Sequence, residues 1–161
     1  FKLVFQYTTH SYYEVYRDPD QIFSIQLVRQ ELEEEVEKEF EGILFAEYLE
    51  DPSVYGISVG NQIIGFLELA RESWHNRIRI TELLIQPEYR GQGYGSKLID
   101  KAKEIMRTQG FRELVLETQS CNTPAIDFYL KNGFIVNGLD LSCYTNEDLE
   151  KKEVRLEMVW R

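Results

Sequence analysis

The stretch that decides the fold reads Leu83-Leu84-Ile85-Gln86-Pro87-Glu88-Tyr89-Arg90-Gly91-Gln92-Gly93-Tyr94-Gly95-Ser96-Lys97. An apolar run with the character of a strand enters a glycine-rich turn, and the turn opens a predicted helix over residues 94–109. Glycines let a backbone approach a ligand closely, and the N-terminus of a helix carries about half a positive charge. The stretch therefore predicts a cradle of backbone N–H groups for an anion.

The turn does not match the two common nucleotide-binding motifs. A dinucleotide fingerprint would need a third glycine where the chain has Ser96. A P-loop would need lysine directly after a glycine, and here Ser96 separates Gly95 from Lys97. The spacing that remains is Arg90-x-x-Gly93-x-Gly95.

A second block of sequence begins at a predicted helix start. Asn122 or Thr123 opens this helix, Pro124 occupies its first turn and Gly133 ends it. A short buried strand is predicted just before it, over residues 114–117. The block reads Asn122-x-x-Ala125-x-x-Phe128-Tyr129-x-Lys131-x-Gly133-Phe134.

In this order, the two blocks resemble the pyrophosphate loop and the later helix of the GNAT superfamily of acetyl-CoA-dependent N-acetyltransferases. Smaller features are similar to the streptothricin acetyltransferases and their relatives, namely Glu72-Ser73-Trp74, Leu116-Glu117-Thr118-Gln119 and Gly138-Leu139-Asp140. The resemblance implies an α/β (α+β) fold, with a single N-acetyltransferase domain over residues 1–161. This GNAT fold has a central mixed, mostly antiparallel sheet of about six to seven strands and about four helices.

The resemblance also implies that acetyl-CoA is the co-substrate and assigns residues to its parts. The pantetheine arm would lie along Leu83, Leu84 and Ile85, and a backbone N–H near Ile85 would polarise the thioester carbonyl. The pyrophosphate would be held by Arg90, Gly91, Gln92, Gly93, Tyr94, Gly95 and Ser96. The pantetheine would be flanked by Asn122, Ala125, Phe128 and Lys131. The alternatives are buried strand positions, a simple helix-entry turn and, for Asn122, a helix N-cap.

Two side chains are the candidates for acid–base catalysis. Tyr129, a phenol with an ordinary pKa of about 10, would give a proton to the departing CoA thiolate. Glu82 stands just before the pantetheine-binding segment and would remove a proton from the attacking amine, directly or through water. The alternatives are a packed core aromatic for Tyr129 and a surface carboxylate for Glu82. Glu68 and Glu117 are weaker candidates for the base.

The composition and net charge of the chain limit the classes of ligand and partner that it is expected to bind. The chain has 161 residues, room for one domain, and a net charge of −10 from 18 Lys and Arg against 28 Asp and Glu. Such a surface repels phosphate, which argues against nucleic acid and anionic membranes and suits a cationic ligand. The first ten residues do not read as a signal peptide, and no apolar run is long enough to span a bilayer. With Cys121 and Cys143 expected as free thiols, a cytoplasmic protein is predicted.

The cysteines and histidines do not indicate other chemistry. His10, His75, Cys121 and Cys143 lack the spacing of metal ligands, so no metal is expected. A nucleophilic Cys121 would need a histidine partner in space, which makes it a minor alternative.

Elsewhere the pattern predicts strands and one long helical region. Strands are expected over residues 1–7, 77–86, 134–144 and 154–160, and a hairpin over residues 54–70 turns at Gly60-Asn61. From a capping site at residues 18–20 to Leu49, apolar residues recur in steps of three or four, which predicts one amphipathic helix or two. Its acidic face, residues 31–41, is either solvated or a wall that steers a cationic substrate.

Three functions remain open. The first is transfer of acetyl from acetyl-CoA to a primary amine of a small cationic acceptor, such as a streptothricin-like antibiotic, by direct attack in a ternary complex. The second is acetylation of a protein N-terminus or lysine, and the third is CoA binding without turnover. The resemblance also allows a homodimer.

Overall fold

The computed structural model describes residues 2–18, 20 and 24–161. A six-stranded sheet has the order β3-β4-β5-β6-β8-β7, and β1 and β2 form a separate two-stranded sheet. The described α-helices number three, and single 3₁₀ turns lie at Ser73–His75 and Pro87–Tyr89. The elements are β1 (Lys2–Arg17), β2 (Ile25–Ile43), β3 (Glu50–Val59), β4 (Gln62–Glu72), β5 (Arg77–Ile85), α1 (Tyr94–Thr108), β6 (Glu113–Gln119), α2 (Thr123–Lys131), β7 (Ile135–Asp140), α3 (Asp148–Lys151) and β8 (Arg155–Trp160).

This architecture confirms the predicted mixed α/β fold. The β3–β4 and β4–β5 ladders are antiparallel and the β5–β6 ladder is parallel. The predicted turn at Gly60-Asn61 joins β3 to β4, with Gly60 in the left-handed region at φ 57°. The cysteines Cys121 and Cys143 are free thiols, as expected. The one-turn helix α3 has no counterpart in the sequence prediction.

The N-terminal helix prediction is wrong, because residues 25–43 form the strand β2. The capping site proposed at Asp18-Pro19-Asp20 includes Pro19, which lies outside the described residues. The apolar positions from Val28 to Leu44 are four residues apart. A spacing of four keeps side chains on one face of a strand as well as on one face of a helix, so it does not separate the two structures.

The residues form two compact units. The first comprises residues 1–5, 40–116 and 159–161, and the second comprises residues 6–39 and 117–158. In the first unit, α1 packs against β4 and β5. The buried side chains of its helix are Leu98, Ile99, Ala102, Ile105 and Met106, which is the apolar stripe that the sequence predicts.

In the second unit, α2 packs against strand residues through a buried polar cluster. The Thr123 hydroxyl lies 3.0 Å from that of Thr9 and 3.1 Å from that of Ser11. Arg29 of β2 donates to both carboxylate oxygens of Asp127 at 3.0 Å. These bonds tie β1, the start of β2 and α2 together.

Within the described residues, the helices are all too short or too polar to cross a membrane.

Candidate active site

The edge of β5 is the first element of the site. The β5–β6 ladder runs only from Arg77 to Ile80 on β5, whereas the β4–β5 ladder continues to Ile85. The register shifts beside Glu68, so that Thr81 is an extra residue on β5, a β-bulge. Among the described ladders, no strand pairs with the second side of residues 81–85. This edge of the sheet therefore suits an extended ligand, which could add to it as a strand does.

The glycine-rich turn follows this edge. Gly91 and Gly93 adopt left-handed conformations, with φ of 75° and 86°, and an added Cβ on either would meet nothing within 4 Å. Gly93 is the N-cap of α1, and in the described structure no side chain caps that end of the helix. The first N–H groups of a helix lack partners within the helix, so they are available to an anion.

Side chains brace the turn against the strands. Arg90 donates from Nε to the Ile85 carbonyl at 3.0 Å, and Gln92 donates to the Glu88 carbonyl at 3.0 Å. The backbone N–H of Gln86 donates to the Ile64 carbonyl at 2.8 Å. The turn is thus pre-formed by bonds to its own strand ends. Arg90, predicted to hold pyrophosphate, here has a bracing role as well.

Glu82 lies on the same strand, opposite Glu68 of β4 in the ladder. Its side chain is half-buried, and its carboxylate packs directly against the backbone of Gly42. Glu68 is completely buried, and its two oxygens accept bonds from the Phe45 N–H at 2.7 Å and the Thr81 hydroxyl at 2.6 Å. Glu68 therefore has no face open to a substrate, unlike Glu82.

The second unit holds the other predicted residues. The Asn122 side chain accepts a bond from the Ala125 N–H at 3.2 Å, which confirms the N-cap interpretation. Ala125, Phe128 and Tyr129 are half-buried, whereas Lys131 is exposed. The Tyr129 ring meets the rings of Phe128 and Phe134 edge-on, with centroids 5.3 and 5.7 Å apart. Tyr129 is thus oriented by packing on its ring.

The cap at Asn122 leads to a prediction about stability. Replacing Asn122 with alanine removes the acceptor, and we expect the free energy of unfolding to fall by about 1 kcal/mol. Thermal unfolding should then occur about 2–4 °C lower. Asn122→Ser keeps an acceptor oxygen and should unfold within about 1 °C of the parent. Equal unfolding temperatures for the alanine variant and the parent would show that the cap contributes nothing.

A cluster in the second unit was not foreseen from the sequence. The Tyr7 hydroxyl lies 3.4 Å from the Cys121 sulfur, and Lys38 pairs with Glu153 at 2.8 Å. Burial raises the pKa of the Cys121 thiol and also that of the Tyr7 phenol. A protonated, buried thiol is a poor nucleophile, which argues against covalent catalysis by Cys121. Residues so distant in sequence give no local signal of their contact.

The predicted residues therefore fall into two groups. Glu82, the pantetheine segment 83–85 and the turn 90–96 are brought together in the first unit. Asn122, Ala125, Phe128, Tyr129 and Lys131 are brought together on α2 and its N-cap in the second unit.

Comparisons with known proteins place this arrangement in a family. The model of the acetyltransferase (GNAT) family matches residues 10–134. Streptothricin acetyltransferase of Escherichia coli is 30% identical over 111 residues, which are 69% of this chain and 63% of that protein. Streptothricin acetyltransferase A of Bacillus subtilis (strain 168) is 35% identical over 86 residues, 53% of this chain and 49% of that protein.

A solved structure extends the similarity to most of the chain. A protein of Bacillus anthracis str. Ames, assigned as a streptothricin acetyltransferase and solved with acetyl coenzyme A, superposes with a TM-score of 0.79 at 26% identity. The match covers 97% of this chain and 87% of that one.

The chain belongs to the acetyltransferase (GNAT) family. Within the family it is similar to the streptothricin acetyltransferases. It spans 63% and 49% of the lengths of the two curated relatives.

Proposed function

We propose that this protein is an N-acetyltransferase that transfers acetyl from acetyl-CoA to a primary amine of a small cationic acceptor. One observation carries the proposal: beyond Ile80, the edge of β5 that faces away from β4 has no partner strand in the described ladders, and this edge leads straight into a glycine-rich turn that opens α1. Coenzyme A has a matching order of parts, since its extended, amide-bearing pantetheine arm is followed by a pyrophosphate. The strand edge suits the first and the helix N-terminus suits the second.

The first unit would bind and orient the acyl donor. Leu83, Leu84 and Ile85 present backbone groups to the pantetheine amides, and an N–H near Ile85 stabilises the charge that develops on the thioester oxygen. Donors of this kind typically contribute 10²- to 10³-fold in rate. Open space at Gly91 and Gly93 admits the phosphates close to the backbone.

Two side chains would move protons. An amine with a pKa near 10 is about one part in a thousand neutral at pH 7, so the proton must be removed before attack. Glu82 takes this proton, directly or through water. Tyr129 donates its phenolic proton to the thiolate of the departing CoA and regains one from solvent. No covalent enzyme intermediate is needed, because the amine attacks the thioester directly.

Charge supports a cationic acceptor. The chain has a net charge of −10, and its β2 strand carries a run of exposed glutamates that includes Glu33, Glu37 and Glu41. The similarity to streptothricin acetyltransferases adds a specific class, amine-bearing antibiotics of the streptothricin type. The free cysteines are compatible with a reducing compartment, which supports the proposal of a cytoplasmic protein.

The test is release of CoA thiol from acetyl-CoA with streptothricin, against a blank without acceptor. Release that saturates with streptothricin supports both the reaction and the acceptor. Release with polyamines or peptide N-termini alone keeps the reaction and replaces the acceptor. Tight binding of acetyl-CoA by calorimetry, with no release across the panel, would contradict the reaction and favour a CoA-binding module.

A further inference from the structure

The segment between β2 and β3 is pinned to the sheet at a strained residue. Phe45 has a left-handed φ of 54°, which is unusual for an aromatic residue, and the residue is 48% exposed. Burial of the ring does not explain why this conformation persists. The hydrogen bond of 2.7 Å from its N–H to the completely buried Glu68 carboxyl group holds the residue in this conformation.

The same carboxylate also fixes the β5 bulge. The Thr81 hydroxyl donates to Glu68 at 2.6 Å, and Thr81 is the extra residue that shifts the register of β5. Glu82 follows it directly. Glu68 is thus bonded to two features that adjoin Glu82. One is the bulge at Thr81, which precedes Glu82 in the chain, and the other is the segment 40–46, which packs against the Glu82 side chain.

The backbone of the segment 40–46 lies against the Glu82 carboxylate itself. A Cβ added to Gly42 would come within 2.5 Å of Oε1 of Glu82 and 2.5 Å of the Phe5 ring. Any side chain at position 42 must therefore displace both of these groups. On the other side, the rings of Phe5 and Phe40 stack with centroids 4.7 Å apart and planes 2° from parallel. The Phe5 ring that an added Cβ would meet is therefore itself packed against Phe40.

We propose that the segment 40–46 positions the Glu82 carboxylate, with Gly42 as the contact and Glu68 as the anchor of the segment. Gly42 and Glu68 are positioning residues that act through Glu82 and do not touch the substrate. The inference rests on the proposed function, in which Glu82 accepts the proton of the amine. It assigns Glu68 a role other than the general base, consistent with its complete burial.

The chain offers a matched pair of glycines for the test. Gly42 and Gly56 both lie in strands, and neither has a left-handed φ. A Cβ on Gly56 would meet only a methyl of Ile63, at 4.0 Å. We expect Gly42→Ala to lower kcat about tenfold with an unchanged KM for acetyl-CoA, since displacing a reacting group by about 1 Å costs at least this much. Gly56→Ala should match the parent.

A double-variant cycle separates positioning from a general structural effect. In a Glu82→Gln background the carboxylate is already gone, so Gly42→Ala should lower kcat by less than about twofold more. An unchanged tenfold fall in that background would overturn the proposal. Thr81→Val should lower kcat, as Gly42→Ala does. Thr81→Ser keeps the hydroxyl and should have the kcat of the parent. If the serine variant has the low kcat of the valine variant, the proposed role of Glu68 as the anchor of the segment is wrong.

A readout without turnover keeps the inference distinct from the proposed function. In protein labelled with ¹³C at glutamate carboxyl carbons, the Glu82 resonance is assigned by its loss in Glu82→Gln. It should move in Gly42→Ala and stay in place in Gly56→Ala at the same pH. If the parent shows no turnover on any amine but the Glu82 resonance still moves in Gly42→Ala, the proposed function is wrong and the positioning of Glu82 is retained. Absence of the shift rejects the positioning, whatever the activity.

Discussion

Tyr129→Phe is expected to lower kcat about 100-fold or more while acetyl-CoA binds with nearly unchanged affinity. The substitution removes only the phenolic oxygen, so the thiolate must leave without a proton donor, and general acids typically contribute 10²- to 10⁴-fold. The ring that packs edge-on between Phe128 and Phe134 is kept, so the position of α2 should not change. Steady-state kinetics together with calorimetry of acetyl-CoA binding measure the two quantities.

Tyr55→Phe is the matched control. Tyr55 is a half-buried tyrosine of β3, remote in sequence from both predicted groups of site residues. It loses the same atom and should retain the parent's kcat. Normal turnover by Tyr129→Phe would remove the acid from the mechanism, and the thiolate would then have to leave as an anion stabilised by its surroundings. A loss of acetyl-CoA affinity equal to the loss of kcat would instead indicate a binding role.

The parts of the fold that the sequence predicted are those with local signals. Gly60-Asn61 between two apolar runs specifies a hairpin, since both residues tolerate positive φ. The apolar stripe of α1 has a helical period and ends before Gly110, whose φ is 75°. The cap at Asn122 and the proline after it mark the start of α2. Each of these signals is contained within a few consecutive residues.

The strand β2 shows why the N-terminal prediction failed. Its glutamates favour a helix by intrinsic propensity, and its apolar residues four apart satisfy both periods. The strand is selected by pairing with β1 and by bonds such as Arg29 to Asp127, which join residues 98 positions apart in the chain. Tertiary contacts outweigh helix propensity here, and a local pattern does not contain them.

The candidate site likewise has features that local sequence motifs predict and features that depend on contacts between distant segments. The glycine spacing and the α2 block identified the turn and the helix, because these motifs are contiguous. The bulge at Thr81, the early end of the β5–β6 ladder and the contact of Gly42 with Glu82 depend on the register of strands and on segments about 40 residues apart. They are visible only once the strands are paired. These non-local features surround Glu82, the base that we propose.

Gly93→Ala should raise the KM for acetyl-CoA about 50-fold, with kcat at saturation within about twofold of the parent. A Cβ at this position would project into the open space where the phosphates approach, and the left-handed φ of 86° is unfavourable for alanine. Loss of one or two bonds from backbone N–H groups to a charged phosphate, each about 1.5–3 kcal/mol, accounts for this change. The reacting atoms are not touched, so the effect is on binding of the donor.

Gly60→Ala separates backbone strain from loss of the cradle. Gly60 is also left-handed, at φ 57°, and an added Cβ there likewise meets nothing within 4 Å. Both variants should lose about 1–2 kcal/mol of stability, because alanine pays a similar penalty in both turns. Only Gly93→Ala should weaken acetyl-CoA binding. If the two variants raise KM equally, strain spreading through the first unit explains the effect, and the backbone of the turn does not bind the pyrophosphate.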